Sequence, residues 1–137
     1  MIGSVYFSSF ELVPKSVHSR WGTKSYRFMD ERILTLIDFI RSETDEWAGS
    51  ATCNDWYWGG SNDSRGFRPP DDPDGASLSA HKRGCAVDLV FKKCSAEEMR
   101  EWITDNIDLI QEKTGIRSIS MELGVGWLHI AVENLDD

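Results

Sequence analysis

The chain has 137 residues and a net charge of −8, from 15 basic and 23 acidic side chains. This length fits one compact domain, and we expect residues 1–137 to form it. The acidic balance disfavours nucleic-acid binding and adsorption to anionic membranes, because both need clustered cations. The sequence shows neither a signal-peptide pattern nor an apolar run of membrane-spanning length, so we expect no membrane partner.

The three cysteines have no close C-x-x-C spacing, and their number is odd. This pattern supports neither a disulfide framework nor a cysteine-type zinc finger. We therefore expect reduced thiols, with Cys85 packed as a small hydrophobic residue.

The first half of the chain predicts one long helix after an irregular start. Pro14 is expected to end any regular element near the N-terminus, and the polar stretch behind it is interpreted as loop. Asp30 is a good N-cap, and apolar residues then recur at helical spacing. We predict a core helix over residues 30–42 and an acidic loop or frayed helix end over 43–49.

Residues 51–60 begin as a strand and end in an aromatic, glycine-rich turn. The three aromatic residues of this turn either line a substrate groove or belong to the core. The sequence leaves both interpretations open for Trp56, Tyr57 and Trp58.

A long loop over residues 61–78 follows, rich in Pro, Asp and Gly. Long loops in compact domains are often functional, so we expect this one to form a wall of a cleft. Its two arginines, Arg65 and Arg68, are candidates for holding a substrate carboxylate, since a guanidinium can bind one in a bidentate manner. The alternative for each is an ordinary surface ion pair.

The second half predicts a strand, a helix and a hairpin. Alternating residues over 86–91 predict the strand. A capping box at Ser95 opens a helix that we expect to run until Gly115. Residues 116–132 then form a hairpin. The predicted fold class is α+β, a small antiparallel sheet with two main helices packed on it.

Two histidines and one aspartate are predicted to lie close together on this sheet. His81 lies just before the 86–91 strand, and Asp88 points away from the more apolar face of that strand. In the last strand His129 also lies on the less apolar face. Two His and one Asp leave a fourth position for water, which is the arrangement of catalytic zinc sites. We predict one Zn²⁺ per chain, bound by these three residues.

Two more residues are predicted on the same side of the hairpin. Glu122 alternates with apolar neighbours, so its carboxylate points away from them and is a candidate catalytic base. Trp127 shares the face of His129 and is a candidate substrate contact.

The pattern Ser79-x-His81-x-x-Gly84-x-Ala86-x-Asp88, followed by Trp127-Leu128-His129, resembles the signature of the zinc D-Ala-D-Ala peptidases. This family includes D,D-carboxypeptidases, D-Ala-D-Ala dipeptidases and phage L-Ala-D-Glu endolysins, and it shares its fold with the Hedgehog signalling domain. Gly66-Phe67-Arg68 is similar to the family's Gly-Tyr-Arg element. The motifs cover roughly residues 65 to 132.

The resemblance implies a Hedgehog/DD-peptidase fold and zinc-dependent hydrolysis of peptide bonds that involve D-amino acids in the peptidoglycan stem peptide. It implies that Arg68 binds substrate and that Ser79 orients His81 or its loop. Many members carry the catalytic Glu three residues before the last His, where this chain has Gly126. Others place it further upstream, which leads to Glu122.

Several alternatives stay open at the level of sequence. The enzyme interpretation competes with a non-catalytic, Hedgehog-like zinc domain that binds a partner, and with a structural virion component. Endopeptidase and carboxypeptidase activities are not distinguished. We expect a monomeric phage or prophage protein that degrades the cell wall from the host cytoplasm or virion, or otherwise a bacterial cytoplasmic dipeptidase.

Overall fold

The computed structural model describes residues 2–72 and 80–132. Within these ranges the helices are α1 (Ser9–Leu12), α2 (Lys15–Trp21), α3 (Glu31–Ala48), α4 (Ala96–Asp105) and α5 (Ile107–Thr114). Short 3₁₀ helices span Gly22–Phe28, Trp56–Trp58 and Ala80–Arg83. The strands are β1 (Ala51–Thr52), β2 (Ala86–Phe91), β3 (Ile119–Met121) and β4 (Leu128–Val132).

The four strands form one small antiparallel sheet in the order β1-β2-β4-β3. The predicted α+β class with a small antiparallel sheet is therefore confirmed. The helices are more numerous than the two that the sequence pattern predicted.

The central strands β2 and β4 divide the sheet into an apolar face and a polar face. Val87 lies opposite Ile130 and Leu89 opposite Leu128, and all four side chains are buried in the core. Successive side chains on a strand point to opposite faces. The residue between Val87 and Leu89 therefore points away from the core, and so does its cross-strand partner.

The apolar face is covered by helices. Helix α3 packs against β2, β4 and α5, and α4 packs against β4. Burying large apolar side chains between these layers supplies most of the favourable free energy of folding. The largest fully buried side chains are Phe7, Leu12, Ile33, Leu34, Leu36, Ile37, Ile40, Leu89, Met99, Ile103, Ile110 and Leu128.

Helix α3 begins where the sequence predicted but ends six residues later than the predicted end at residue 42. The Asp30 side chain accepts a hydrogen bond from the backbone N–H of Arg32, as an N-cap does. Thr44 and Ala48 continue the buried face at intervals of four residues. The prediction of a loop over 43–49 was therefore wrong, because the acidic residues there occupy the exposed side of the helix.

Two further predictions are corrected. The single helix predicted between Ser95 and Gly115 is interrupted at Asn106, whose side-chain amide donates to the carbonyl of Trp102 and competes with regular helix bonding. The polar stretch behind Pro14, interpreted as loop, instead forms α2 and a 3₁₀ helix. Among the described residues, no helix combines the length and apolarity needed to cross a bilayer.

Candidate metal centre

His81, Asp88 and His129 converge on one point above the polar face of the sheet. His129 Nδ1 lies 2.8 Å from Asp88 Oδ1, and His81 Nε2 lies 3.2 Å from the same oxygen. The two ring nitrogens are 3.3 Å apart. Within the described ranges this is the only group of three or more His, Cys, Asp or Glu side chains with metal-binding spacing.

These distances match the separations between ligands around a small tetrahedral cation. Metal–ligand bonds of about 2.0–2.1 Å at tetrahedral angles place neighbouring ligand atoms about 3.3 Å apart. The observed separations of 2.8, 3.2 and 3.3 Å are close to that value. The site is therefore compatible with a metal ion, held by two imidazoles and one carboxylate.

The sheet register brings two of the three ligands together. Asp88 on β2 lies directly opposite His129 on β4, on the face away from the core. Opposed residues in an antiparallel pair have Cβ atoms about 4.5–5.5 Å apart, so their side chains meet. The alternation of apolar residues in both strands therefore determines this half of the site.

His81 reaches the site from the 3₁₀ helix Ala80–Arg83 that precedes β2. Its Nδ1 donates a hydrogen bond of 2.9 Å to the backbone carbonyl of Gly66, which directs Nε2 at Asp88 and His129. Gly84 has φ = 70°, and a Cβ there would lie 2.0 Å from the carbonyl oxygen of Phe28. A glycine is needed for this close turn, which joins the His81 helix to the Asp88 strand.

The electrostatics of the cluster favour a charged pair. Burial alone would raise the pKa of Asp88, but hydrogen bonds from His129 and His81 outweigh it and hold that pKa below its usual range. The hydrogen bond to Asp88 raises the pKa of His129, against the opposing effect of burial. His81 and Asp88 are only 3% and 7% exposed, so water screens their interaction poorly.

Arg68 lies beside the cluster, whereas Arg65 has a structural position. Arg68 Nη2 is 3.7 Å from Asp88 Oδ2, and its Nε donates to the carbonyl of Ser64. Arg65 directs its guanidinium to the carbonyl of Cys53, and its own carbonyl accepts the backbone N–H of Asp88. Of the two arginines, Arg68 is the one with an ion-pair contact to the cluster.

Glu122 directly follows β3 and lies opposite His129 of β4. Its backbone N–H donates to the carbonyl of His129, in continuation of the β3–β4 register, so both side chains lie on the same face. Its carboxylate is exposed, and its charge contributes to the raised pKa of His129. Trp127 is partly exposed near the start of β4, and its carbonyl accepts a hydrogen bond from Arg100.

No protein-family model, curated protein or solved structure matches this chain. The candidate site must therefore be interpreted from its own residues.

Ser79 lies outside the described residues. Cys85 is buried, and its thiol points to the carboxylate of Asp30 and not to the metal cluster, as expected for a packed thiol. Cys53 lies near Asp88, but burial and the charge of Asp88 raise the pKa of its thiol far above the usual range, which keeps it protonated.

Two contributors to the site were missed by sequence reasoning. The carbonyl of Gly66 orients His81, and the buried side chain of Asn54 accepts the backbone N–H of Arg65 while donating to the carbonyl of Val13. A backbone carbonyl leaves no mark on the sequence. The position of Gly66 two residues before Arg68 was the one available signal.

Proposed function

We propose that this protein is a zinc-dependent peptidase that hydrolyses peptide bonds involving D-amino acids in bacterial peptidoglycan, with a Hedgehog/DD-peptidase-like fold. The observation that carries the proposal is the convergence of His81, Asp88 and His129 within ligand distance of one another. These three residues are also the ones aligned by the resemblance to the zinc D-Ala-D-Ala peptidases. If the resemblance in sequence were due to chance, these three residues would have no reason to lie close together in the structure.

Zinc is the metal that best fits the donor set. Two imidazole nitrogens and one carboxylate oxygen at tetrahedral separations are typical of zinc sites with one open position. The all-oxygen surroundings that calcium and magnesium prefer are not what these three residues offer. When bound, zinc supplies a Lewis acid that polarises a carbonyl and acidifies water.

Glu122 is the group that we assign to proton transfer. It lies on the same face as His129 and directly opposite it. As a general base it would take the proton of the attacking water and deliver it to the leaving amine. Its exposure leaves the carboxylate able to reach a substrate that lies across β4.

Arg68 is assigned to the carboxylate or carbonyl oxygen of the substrate. Its guanidinium is half-buried beside Asp88, at an ion-pair distance that is longer than a direct hydrogen bond. A dication in the site would engage Asp88 and leave the guanidinium of Arg68 able to bind a substrate oxygen. A stem peptide that ends in a carboxylate supplies the complementary charge.

A non-catalytic zinc domain is the second candidate, and one observation favours it. Gly126 occupies the position where many zinc D-Ala-D-Ala peptidases carry the catalytic Glu, and Glu122 is exposed rather than buried against the cluster. In that case the metal would stabilise a binding surface, and no peptide would be cleaved.

Metal-dependent cleavage of a soluble muropeptide tests the proposal. The zinc-loaded protein should cleave the peptide, the chelated protein should not, and added zinc should restore activity. His81→Ala and His129→Ala should lose both bound zinc and activity. His18→Ala is the matched control, since His18 lies on α2 against Phe10 and Trp56 and should keep both. A protein that binds zinc through these residues and cleaves nothing would support the non-catalytic alternative.

A further inference from the structure

The turn after β1 and helix α1 together form an exposed aromatic platform. We define it as Phe10, Tyr57 and Trp58. Tyr57 stacks on Phe10 with ring centroids 3.9 Å apart and an interplanar angle of 21°, and Trp58 stands edge-on to both. Tyr57 is 56% exposed and Trp58 is 59% exposed. Phe10 therefore covers one face of the Tyr57 ring, while much of the Tyr57 and Trp58 surface remains open to solvent.

A network of hydrogen bonds holds the turn that carries Tyr57 and Trp58 in place. The carbonyl of Asp55 accepts the backbone N–H groups of Trp58 and Gly60, and its carboxylate accepts two hydrogen bonds from Asn62. Trp56 anchors the turn to α1 by donating to the carbonyl of Val13. A loose turn could fold its rings inward and remove their apolar surface from water. This turn is built so that both rings stay outside, which is the arrangement of a preorganised binding surface.

The chemistry of the platform suits a saccharide. One face of a pyranose ring carries C–H groups that pack on an aromatic ring, while its hydroxyls stay in water, and Tyr and Trp combine an apolar face with a polar edge. The nearest charged residues on this segment, Asp55 and Asp63, are acidic, and the whole chain carries −8. Both features disfavour nucleic acid and other polyanions.

The platform is tied to the metal cluster by a short path. Asn54 accepts the backbone N–H of Arg65 at 2.8 Å, and the carbonyl of Arg65 accepts that of Asp88 at 2.7 Å. The three residues from Tyr57 to Asn54 span at most about 11 Å, so Tyr57 lies within roughly 25 Å of Asp88 along this path. An extended five-residue peptide spans about 17 Å. Because roughly 25 Å is an upper limit to the separation, a stem peptide together with the sugar that bears it matches the two places in scale.

We propose that Tyr57 and Trp58 form a saccharide-binding subsite that holds the glycan strand of peptidoglycan while the attached stem peptide enters the metal site. This inference rests on the proposed function, because the glycan is the polymer to which that substrate is attached. The subsite would favour cell-wall substrates that retain their sugars over free peptides.

Retention on glycan strands stripped of their peptides tests the subsite without any catalysis. The wild-type protein should bind these strands, and Tyr57→Ala or Trp58→Ala should weaken binding roughly tenfold or more, since 1.4 kcal/mol corresponds to a factor of ten. Tyr57→Phe keeps the stacking ring and should stay near wild type. Trp47→Ala is the matched control, because Trp47 is also exposed, at 38%, but contacts Trp102 instead of the platform.

The outcomes separate this inference from the proposed function. The proposed subsite is wrong if the wild-type protein does not bind glycan strands. It is also wrong if the variants at 57 and 58 bind like wild type. A dimer that depends on Trp58 in sedimentation velocity would also overturn it, because the rings would then cover a second copy of the chain. Conversely, the protein could bind glycan strands through Trp58 and cleave no muropeptide. This result would refute the peptidase activity but support the saccharide subsite. If the peptidase activity and the saccharide subsite are both correct, Trp58→Ala should slow cleavage of intact peptidoglycan but not of a sugar-free stem peptide.

Discussion

The two histidines of the candidate centre present different ring nitrogens. Because a carbonyl only accepts, the hydrogen bond to Gly66 requires a proton on Nδ1 of His81, so Nε2 is the nitrogen left to bind a metal. His129 instead directs Nδ1 at Asp88, so that nitrogen must lose its proton before it can bind a metal. Metal binding should therefore displace a proton from Nδ1 of His129.

Replacing Glu122 by glutamine separates catalysis from metal binding. The amide preserves the shape of the side chain but cannot accept a proton as a base. We expect zinc content and melting temperature near wild type, and a loss of about 10²- to 10⁴-fold in the rate of muropeptide cleavage. Steady-state kinetics with elemental analysis would check this. Cleavage at the parental rate would assign the base to another group.

Arg68→Lys tests whether the fork of the guanidinium matters or only its charge. Lysine keeps the positive charge near Asp88 but cannot bind a carboxylate in a bidentate manner. We expect a clear loss of kcat/KM, of the order of tenfold, with zinc content unchanged. Arg65→Lys is the control, since Arg65 contacts the carbonyl of Cys53 and should affect stability more than cleavage. Equal kinetic losses in both variants would argue against a substrate role specific to Arg68.

At the scale of elements, the pairing of β2 with β4 makes the centre. A shift of one residue in this register would move Asp88 or His129 to the core face. The register is stabilised by the apolar pairs Val87–Ile130 and Leu89–Leu128. The core that stabilises the fold thus also sets the geometry of the ligands.

The positions of Asp88 and His129 could be predicted from sequence, because side chains on a strand alternate between the two faces of the sheet with a period of two. The side of the sheet on which Asp88, Glu122 and His129 lie follows directly from their apolar neighbours. The contact between His81 and Gly66 could not be predicted, because it joins a carbonyl in a loop to a side chain fifteen residues later. The end of α3 was missed for a related reason, since acidic residues on an exposed helix face resemble a loop when burial is unknown.

Gly66→Ala tests the loop that supports His81. A Cβ at residue 66 would lie 2.3 Å from the carbonyl oxygen of Leu12, so either the loop or α1 must move. Overpacking of this kind costs about 1–3 kcal/mol, and loss of an orienting contact to a ligand typically weakens metal binding about 10- to 100-fold. Thermal denaturation and zinc titration would measure both effects.

Gly126→Ala is the matched control for that variant. Among the described residues, no atom outside its immediate chain neighbours lies within 4 Å of a Cβ built at Gly126. We therefore expect near-wild-type stability and zinc affinity. A Gly66→Ala protein with wild-type zinc affinity would show that the Gly66 carbonyl does not determine the orientation of His81.

At the scale of the whole molecule, metal-free stability should depend on pH through the Asp88–His129 pair. Asp88 has a lowered pKa, so its contribution is present above the unfolded pKa of about 3.9 and is lost as pH falls through the folded value. His129 has a raised pKa, so its contribution is present below about 6.5 and is lost as pH rises through the folded value. The pair should stabilise the metal-free fold most between about pH 4 and 6.5.

Zinc should have the opposite pH dependence, because it binds the deprotonated ring. The gain in Tm on adding zinc should grow as pH rises through the pKa of His129. Thermal denaturation over this range, with and without zinc and with Asp88→Asn as reference, would measure both trends. If the difference in Tm between wild type and Asp88→Asn stays constant with pH in the absence of zinc, the pair does not carry the charge that we assign to it.

The proposed function requires that the protein cleave the cell wall with the metal that it binds. Digestion of purified peptidoglycan by the zinc-loaded protein, followed by mass spectrometry of the released fragments, tests this most directly. We predict fragments with a new amino and carboxyl terminus at one bond that involves a D-amino acid, absent with a chelator and absent with His129→Ala. A protein that holds one zinc per chain and releases no such fragment would contradict the proposed peptidase activity.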